Sequence, residues 1–114
     1  MRAECFARSK QKEEAMQLLN KLLLHRWKSG KFQVLTAKSD SEALDLILKE
    51  RRKELLFRGV RWLDLKRLNK EGREISLKRV LGGKEFVLYP NDLRYALPIP
   101  EDVIELSGMQ QNPR

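Results

Sequence analysis

Residues 50–67 read ERRKELLFRGVRWLDLKR and contain the end of one predicted helix, a turn and the start of another. Apolar residues recur at helical spacing ahead of the turn: Leu44, Ile47, Leu48 and Leu55. This helix is predicted to run to Phe57, and Gly59 is placed to take the left-handed conformation that ends a helix. The short helix that follows has Trp62, Leu65 and Leu68 on its apolar side and is predicted to stop within residues 69–72.

Amphipathic periodicity continues on the amino-terminal side of this stretch. Between Lys10 and about Arg26, apolar residues again recur at helical spacing: Ala15, Leu18, Leu19, Leu22 and Leu23. Ser9 is expected to cap this helix. A shorter helix is predicted before it from Ala3, Phe6 and Ala7, so the two helices are expected to form a helical hairpin. Ser39 and Glu42 have capping-box spacing and predict the start of the next helix.

The carboxyl-terminal side loses helical periodicity after Gly72. Gly82-Gly83 is a turn dipeptide followed by a short apolar run at residues 86–89, which predicts a β-hairpin. Three prolines interrupt the remainder, Pro90, Pro98 and Pro100, although the last can begin a one-turn helix at residues 101–105. Four apolar residues of this segment are expected to dock on a surface: Leu97, Ile99, Val103 and Ile104. The predicted fold is therefore mainly α, with tetratricopeptide-like helical hairpins over 1–72 and a short β-hairpin with an irregular, proline-punctuated tail over 73–114.

Composition excludes several classes of protein. The chain has 114 residues with 24 Lys and Arg against 16 Asp and Glu, a net charge of +8 and a mean hydropathy of −0.57. This length predicts a single domain. No window of 18 consecutive apolar residues exists, so a transmembrane helix is not expected. Cys5 and His25 are the only soft metal ligands, so we expect no metal site, no cofactor and no Cys/His catalysis.

The basic charge leaves two interpretations open for the helices around residues 49–67. Acids and bases alternate there, so most of them are expected to pair at i, i+3 or i+4 in a structural role. The alternative is a small basic module that binds nucleic acid, which requires unpaired bases on one face. Aromatic side chains beside these bases have the same two interpretations, ligand stacking or core packing: Trp62, Tyr89 and Tyr95. A free-standing helical protein-interaction module is a third alternative.

Three stretches together resemble the SusD/RagB family. Residues 50–67 resemble a late helix of that family, with eight motif residues: Glu50, Arg51, Arg52, Glu54, Gly59, Arg61, Trp62 and Asp64. Arg58 stands where many members carry Glu. The Pro98-Ile99-Pro100 segment and Asn112-Pro113 resemble the end of the family sequence, and residues 2–26 resemble its last tetratricopeptide-like hairpin. The resemblance covers nearly the whole chain.

The resemblance implies a surface-exposed outer-membrane lipoprotein that binds glycans or other nutrients and covers a SusC-like TonB-dependent porin. Members of the family are binders and not enzymes, and no nucleic-acid partner is expected. Because they are longer and begin with a signal peptide and an acylated cysteine, we expect this chain to be a carboxyl-terminal fragment of such a parent. No residue matches a sugar-binding position, so the ligand-binding residues stay unknown at this stage.

The motif residues fit a structural role. Arginines 51, 52 and 61 are expected to bridge acids 50, 54 and 64 between successive helices. Apolar contact between the same helices is expected from Leu55, Phe57, Trp62 and Leu65. The predicted function of this stretch is therefore to hold the carboxyl-terminal segment against the helical array.

Overall fold

The structure is a computed structural model that describes residues 1–114. Its elements in chain order are α1 (Arg2–Arg8), α2 (Lys12–Leu24), α3 (Asp40–Glu54), α4 (Arg61–Lys70), β1 (Leu77–Leu81), β2 (Lys84–Leu88), a 3₁₀ turn (Leu93–Tyr95) and α5 (Glu101–Ser107). The mainly helical fold with one short β-hairpin is confirmed. None of the helices has both the length and the apolar composition needed to cross a membrane. The chain forms two compact units, unit 1 (residues 1–58) and unit 2 (residues 59–114).

Unit 1 is a helical hairpin with a third helix packed on it. Helix α1 packs on α2, and α3 packs against both. Their shared core contains buried apolar residues from all three helices: Ala7, Ala15, Met16, Leu19, Leu23, Ala43 and Ile47. Ala15 and Ala43 are completely buried, so their small side chains allow the helix backbones to approach closely. The periodicity predicted Leu22 on the buried face of α2, but Leu22 is exposed and Met16 is buried instead. The buried face of α2 is therefore rotated slightly from the predicted one.

The helix boundaries in unit 1 confirm one predicted cap and correct another. The backbone N–H of Glu42 donates to Ser39 Oγ at 3.1 Å, as the capping-box spacing predicts. The Glu42 carboxylate accepts the N–H of Lys38. The prediction for Ser9 was wrong, because Ser9 ends α1 and Gln11 precedes α2 without a side-chain bond. Lys10 has a positive φ of 59°, so the chain turns before the second helix begins.

Helix α3 ends earlier than the sequence predicted. Its last residue is Glu54 and not Phe57. Gly59 has the predicted left-handed conformation, with a φ of 72°, but it does not end α3, because Leu55 caps that helix. Phe57 is a second left-handed residue, with a φ of 60°. The Phe57 side chain is 96% exposed, so its predicted place in an apolar contact was wrong.

Unit 2 contains α4, the β-hairpin, the 3₁₀ turn and α5, and hydrogen bonds connect α4 to Ile75, Asn91 and Tyr95. Strands β1 and β2 pair antiparallel, with Leu77 opposite Leu88 and Leu81 opposite Lys84. Both residues of the predicted Gly82-Gly83 turn have positive φ, which fits a two-residue turn of the type that matches strand twist. The buried residues come from α4 and the 3₁₀ turn: Leu65, Leu68, Asn69 and Tyr95. Helix α5 begins after Pro100, as predicted, and ends at Gly108 with a φ of 67°.

Side-chain amides hold the irregular segments of both units. In unit 1, Asn20 donates to the Leu35 carbonyl and accepts its N–H, both at 2.9 Å. In unit 2, Asn69 binds the backbone of Ile75 in the same two-bond manner at 3.0 and 2.7 Å. Gln111 does so to Ile99 at 3.0 and 2.8 Å. We call these three pairs of bonds amide clamps. Each gives a non-helical residue the hydrogen bonds that a neighbouring strand otherwise supplies.

The core of unit 1 makes a direct prediction for Leu19. Leu19→Ala removes a side chain that is 3% exposed, and we expect it to lower the free energy of unfolding by about 2 to 5 kcal/mol through lost burial and a residual cavity. Leu24→Ala on the same helix is the control, because Leu24 is 55% exposed. Urea unfolding followed by circular dichroism measures both. Equal losses in the two variants would contradict the placement of the core.

The Asn69 clamp makes a second stability prediction. Asn69→Asp keeps the size of the side chain but replaces the donor to the Ile75 carbonyl with an oxygen, and Asn69 is 2% exposed. We expect a loss of about 1 to 3 kcal/mol, because the partly buried Ile75 carbonyl is left without its donor. Hydrogen exchange at the Ile75 amide should accelerate as well. Gln110→Glu, which changes an exposed amide of the same unit, serves as the control, and a loss in it equal to that of Asn69→Asp would refute the clamp.

Candidate functional site

Four motif residues lie at the carboxyl end of α3: Glu50, Arg51, Arg52 and Glu54. The two arginines and Lys53 occupy the last turn, where positive charge is favoured by the helix dipole. Lys53 Nζ donates to Glu50 Oε1 one turn away. This pair confirms that the alternating charges engage each other at helical spacing.

Glu54 pairs with a residue that the sequence analysis did not consider. Arg26 Nε lies 3.0 Å from Glu54 Oε1 and 3.1 Å from Oε2, and the two residues are 28 positions apart in the chain. The side-chain hydrogen bond from Arg26 lowers the pKa of Glu54 and raises the pKa of Arg26. The pair links the end of α2 to the end of α3. Sequence spacing could not find it, since only the packing of these helices brings the two side chains together.

The other four motif residues lie at the start of unit 2: Gly59, Arg61, Trp62 and Asp64. Arg61 is the first residue of α4. Asp64 Oδ1 accepts from Arg67 at 3.1 Å one turn later. Trp62 Nε1 donates to the Tyr95 carbonyl at 3.2 Å, and the two rings are 4.8 Å apart. Trp62 therefore packs within unit 2, as the core interpretation predicted, and it is half-buried.

A groove of about 440 Å³ lies between α4 and residues 91–96 in unit 2. Helix α4 contributes Lys66, Arg67 and Lys70 to its wall, while Leu93, Tyr95 and Ala96 supply apolar surface. None of the eight motif residues lines the groove. The motif and the groove are thus separate features of the chain, and the sequence analysis missed the groove because its two walls are more than 20 residues apart.

Asp92 and Arg94 form a strong local pair at the edge of the groove. Asp92 Oδ1 accepts both the backbone N–H and Nε of Arg94, each at 2.9 Å, and Oδ2 lies 2.7 Å from Arg94 Nη2. The side-chain hydrogen bond from Arg94, followed by the backbone bond, lowers the pKa of Asp92 to about 2. The same contact raises the pKa of Arg94. The Asp92 carboxylate is consequently ionised and compensated at neutral pH.

The remaining predicted candidates occupy ordinary positions. Tyr89 is exposed, whereas Tyr95 is buried. His25 caps the end of α2. Cys5 is an exposed free thiol. No group of three or more His, Cys, Asp or Glu side chains in the chain is placed to hold a metal ion.

The depressed pKa of Asp92 predicts a pH dependence of stability. A carboxyl group whose pKa falls from 3.8 to about 2 on folding adds stability that is fully present above the higher value and is lost as the pH falls from about 4 to about 2. We therefore expect the difference in melting temperature between the wild type and Asp92→Asn to shrink over this window. Titration of the Asp92 carboxyl carbon by NMR should give a midpoint near 2, and Arg94→Gln should move it upward. A wild-type midpoint at 3.8 would show that the pair does not form in solution.

Comparison with known proteins agrees with this architecture. The sequence matches the SusD family over residues 1–114. No curated protein matches the chain. The family match includes the helical hairpin of unit 1, the motif of residues 50–67 and the clamped carboxyl-terminal segment of unit 2. This chain belongs to the SusD family.

Proposed function

We propose that this chain is the scaffold part of a SusD-like outer-membrane protein that binds glycans or other nutrients and passes them to a SusC-like TonB-dependent transporter. The observation that carries the proposal is the family match over residues 1–114. The family comprises nutrient-binding outer-membrane proteins, which are binding proteins rather than enzymes and act with SusC-like transporters. Membership supports a place at the cell surface for the protein that contains this chain.

The contacts of the motif residues support a scaffold role. Glu54 joins two helix ends through Arg26, and Trp62 joins α4 to the Tyr95 backbone. Side chains engaged in this way are held in place by the fold itself, and the groove takes none of them. We therefore propose that the motif stabilises the architecture and leaves nutrient contacts to other residues.

Exposed apolar side chains support the interpretation of residues 1–114 as one carboxyl-terminal part of a larger SusD-like domain. Unit 2 exposes several large ones: Leu63, Leu81, Phe86, Leu97 and Leu106. An excess of large exposed apolar side chains is typical of surfaces that another part of a protein covers. Leu97 and Val103, which were predicted to dock on a surface, are exposed in the chain and available for such a contact.

The charge pattern favours this proposal over nucleic-acid binding. In the helices around residues 49–67, Glu50, Glu54 and Asp64 each neutralise a base. Nucleic acid draws its affinity from several unpaired cations that replace counterions along the phosphate backbone. These pairs neutralise three bases, and the net charge of +8 is the excess of the 24 Lys and Arg over the 16 Asp and Glu of the whole chain.

The proposal is tested on the complete protein in its native membrane. Mild detergent extraction should recover it with a TonB-dependent transporter in near-stoichiometric amount, as measured by quantitative mass spectrometry. Calorimetric titration with a panel of oligosaccharides should detect binding, and chromatography of the bound glycans should show them intact. Recovery without a transporter, or salt-sensitive binding to duplex DNA in place of glycans, would overturn the proposal.

The scaffold assignment predicts a separation between stability and binding. Glu54→Gln removes the negative charge opposite Arg26, so the melting temperature of the complete protein should fall while the Kd for its captured nutrient stays unchanged. Glu14→Gln is the matched control, because Glu14 is an exposed acid on α2. A change in Kd at unchanged melting temperature would place Glu54 in a binding site and contradict the scaffold role.

A further inference from the structure

We propose that the groove between α4 and residues 91–96 binds one or two rings of an acidic sugar, with the ligand's carboxylate or sulfate facing Lys66 and Lys70. The inference rests on the proposed nutrient-binding function and deepens it by naming a place on this chain and a chemical class of ligand. Its support comes from the size of the groove, the rigidity of its floor and the balance of charges around it.

The size and floor of the groove suit a sugar ring. A volume of about 440 Å³ lies within the range of sites that hold small ligands and is large enough for one or two pyranose rings. Leu93, Tyr95 and Ala96 provide apolar surface on which the C–H face of a ring can pack. Two contacts hold the Tyr95 side chain in place: the Trp62 ring packs against its ring, and Asn69 Nδ2 lies 3.4 Å from its hydroxyl.

Two lysines supply positive charge that no acid of the chain compensates. Lys66 and Lys70 are four residues apart, so they lie on the same face of α4, and both are exposed. Like charges at this spacing repel each other in the absence of an anion. Lys66 precedes the last turn of the helix, so the helix dipole does not account for it.

The other charged groups of the groove are already paired. Arg67 lies 3.1 Å from Asp64 and 3.8 Å from Glu71. Asp92 is compensated by Arg94 at 2.7 Å. The net charge presented to a ligand is therefore that of the two lysines, which selects an anion.

The opposite wall offers acceptors for hydroxyl groups. Asn91 lines the groove and donates through Nδ2 to the Asn69 carbonyl at 3.4 Å, and an amide oxygen such as its Oδ1 accepts hydrogen bonds. Carboxylate oxygens can accept more than one hydrogen bond, so Asp92 can bind a ring hydroxyl while it holds Arg94. A ligand with an acidic group at one end and hydroxyl groups at the other fits both walls, whereas a fully charged anion such as sulfate matches only the lysines.

The test titrates the complete protein with galacturonate and glucuronate, with galactose and glucose as uncharged counterparts and with inorganic sulfate. Ligand-observed NMR and calorimetry should show that the uronates bind at least tenfold more tightly than the neutral sugars and than sulfate. Added NaCl should weaken uronate binding, because exposed charges are screened. Binding of sulfate as tight as that of the uronates would overturn the assignment to a sugar.

Variants locate the binding in the groove. The double variant Lys66→Gln/Lys70→Gln should weaken uronate binding at least tenfold, and Ala96→Phe should do the same by filling the groove without changing charge. Lys10→Gln/Lys21→Gln removes two exposed lysines of unit 1 and should have no effect. Circular dichroism checks that each variant is folded. Uronate binding unchanged in both groove variants would overturn the proposal.

The outcomes separate this inference from the proposed function. If the complete protein captures neutral glycans and copurifies with its transporter but ignores uronates, the groove assignment is wrong and the SusD-like function stands. Tighter binding of poly-glutamate than of oligogalacturonate would overturn the sugar class in favour of an acidic peptide. Uronate binding lost in the groove variants alone would support both the place and the ligand class.

Discussion

Backbone hydrogen bonding in the irregular segments is the constraint on which this structure depends. A buried N–H or C=O without a partner costs free energy, and chain outside helices and strands has no regular ladder to supply one. Asn20 and Asn69 meet this requirement with two bonds each to a partly buried backbone residue, and Gln111 makes the same two bonds in an exposed segment. Asn112 adds a bond to the Leu97 carbonyl at 2.6 Å. The non-helical parts of both units are therefore ordered by side chains of the helices and of the tail.

The clamp made by Asn69 also positions residues that line the groove in unit 2. Asn69 holds Ile75 and contacts the hydroxyl of Tyr95, while its carbonyl accepts a bond from Asn91. One buried residue of α4 thus organises the segment before the hairpin and the segment that lines the groove. Because of this arrangement, Leu93, Tyr95 and Ala96 line the groove together with Lys66 and Lys70 of α4. Buried residues of α4 and the lysines of the proposed groove site thus alternate along the same short helix.

The acidic residues of the motif form ion pairs both within one helix and between two helices. Glu50 and Asp64 pair within their own helices, which sequence spacing predicts. Glu54 pairs with Arg26 from another helix, and this contact joins the ends of α2 and α3. The three pairs neutralise three bases and leave the net charge of +8 unchanged. These contacts fit the proposed scaffold role of the motif.

Periodicity and turn chemistry by themselves determined the helices of unit 1, the Ser39 cap, the Gly82-Gly83 turn and the helix after Pro100, because each depends on residues a few positions apart. Family membership was also readable from three short motifs. Tertiary structure alone decided which residues the helices bury, that Phe57 is exposed, that Arg26 pairs with Glu54, and that Asn20 and Gln111 bind the backbone of Leu35 and Ile99. It also decided the groove, whose walls meet only after folding. These features join residues far apart in the chain, and local propensity carries no information about which distant partner satisfies a given polar group.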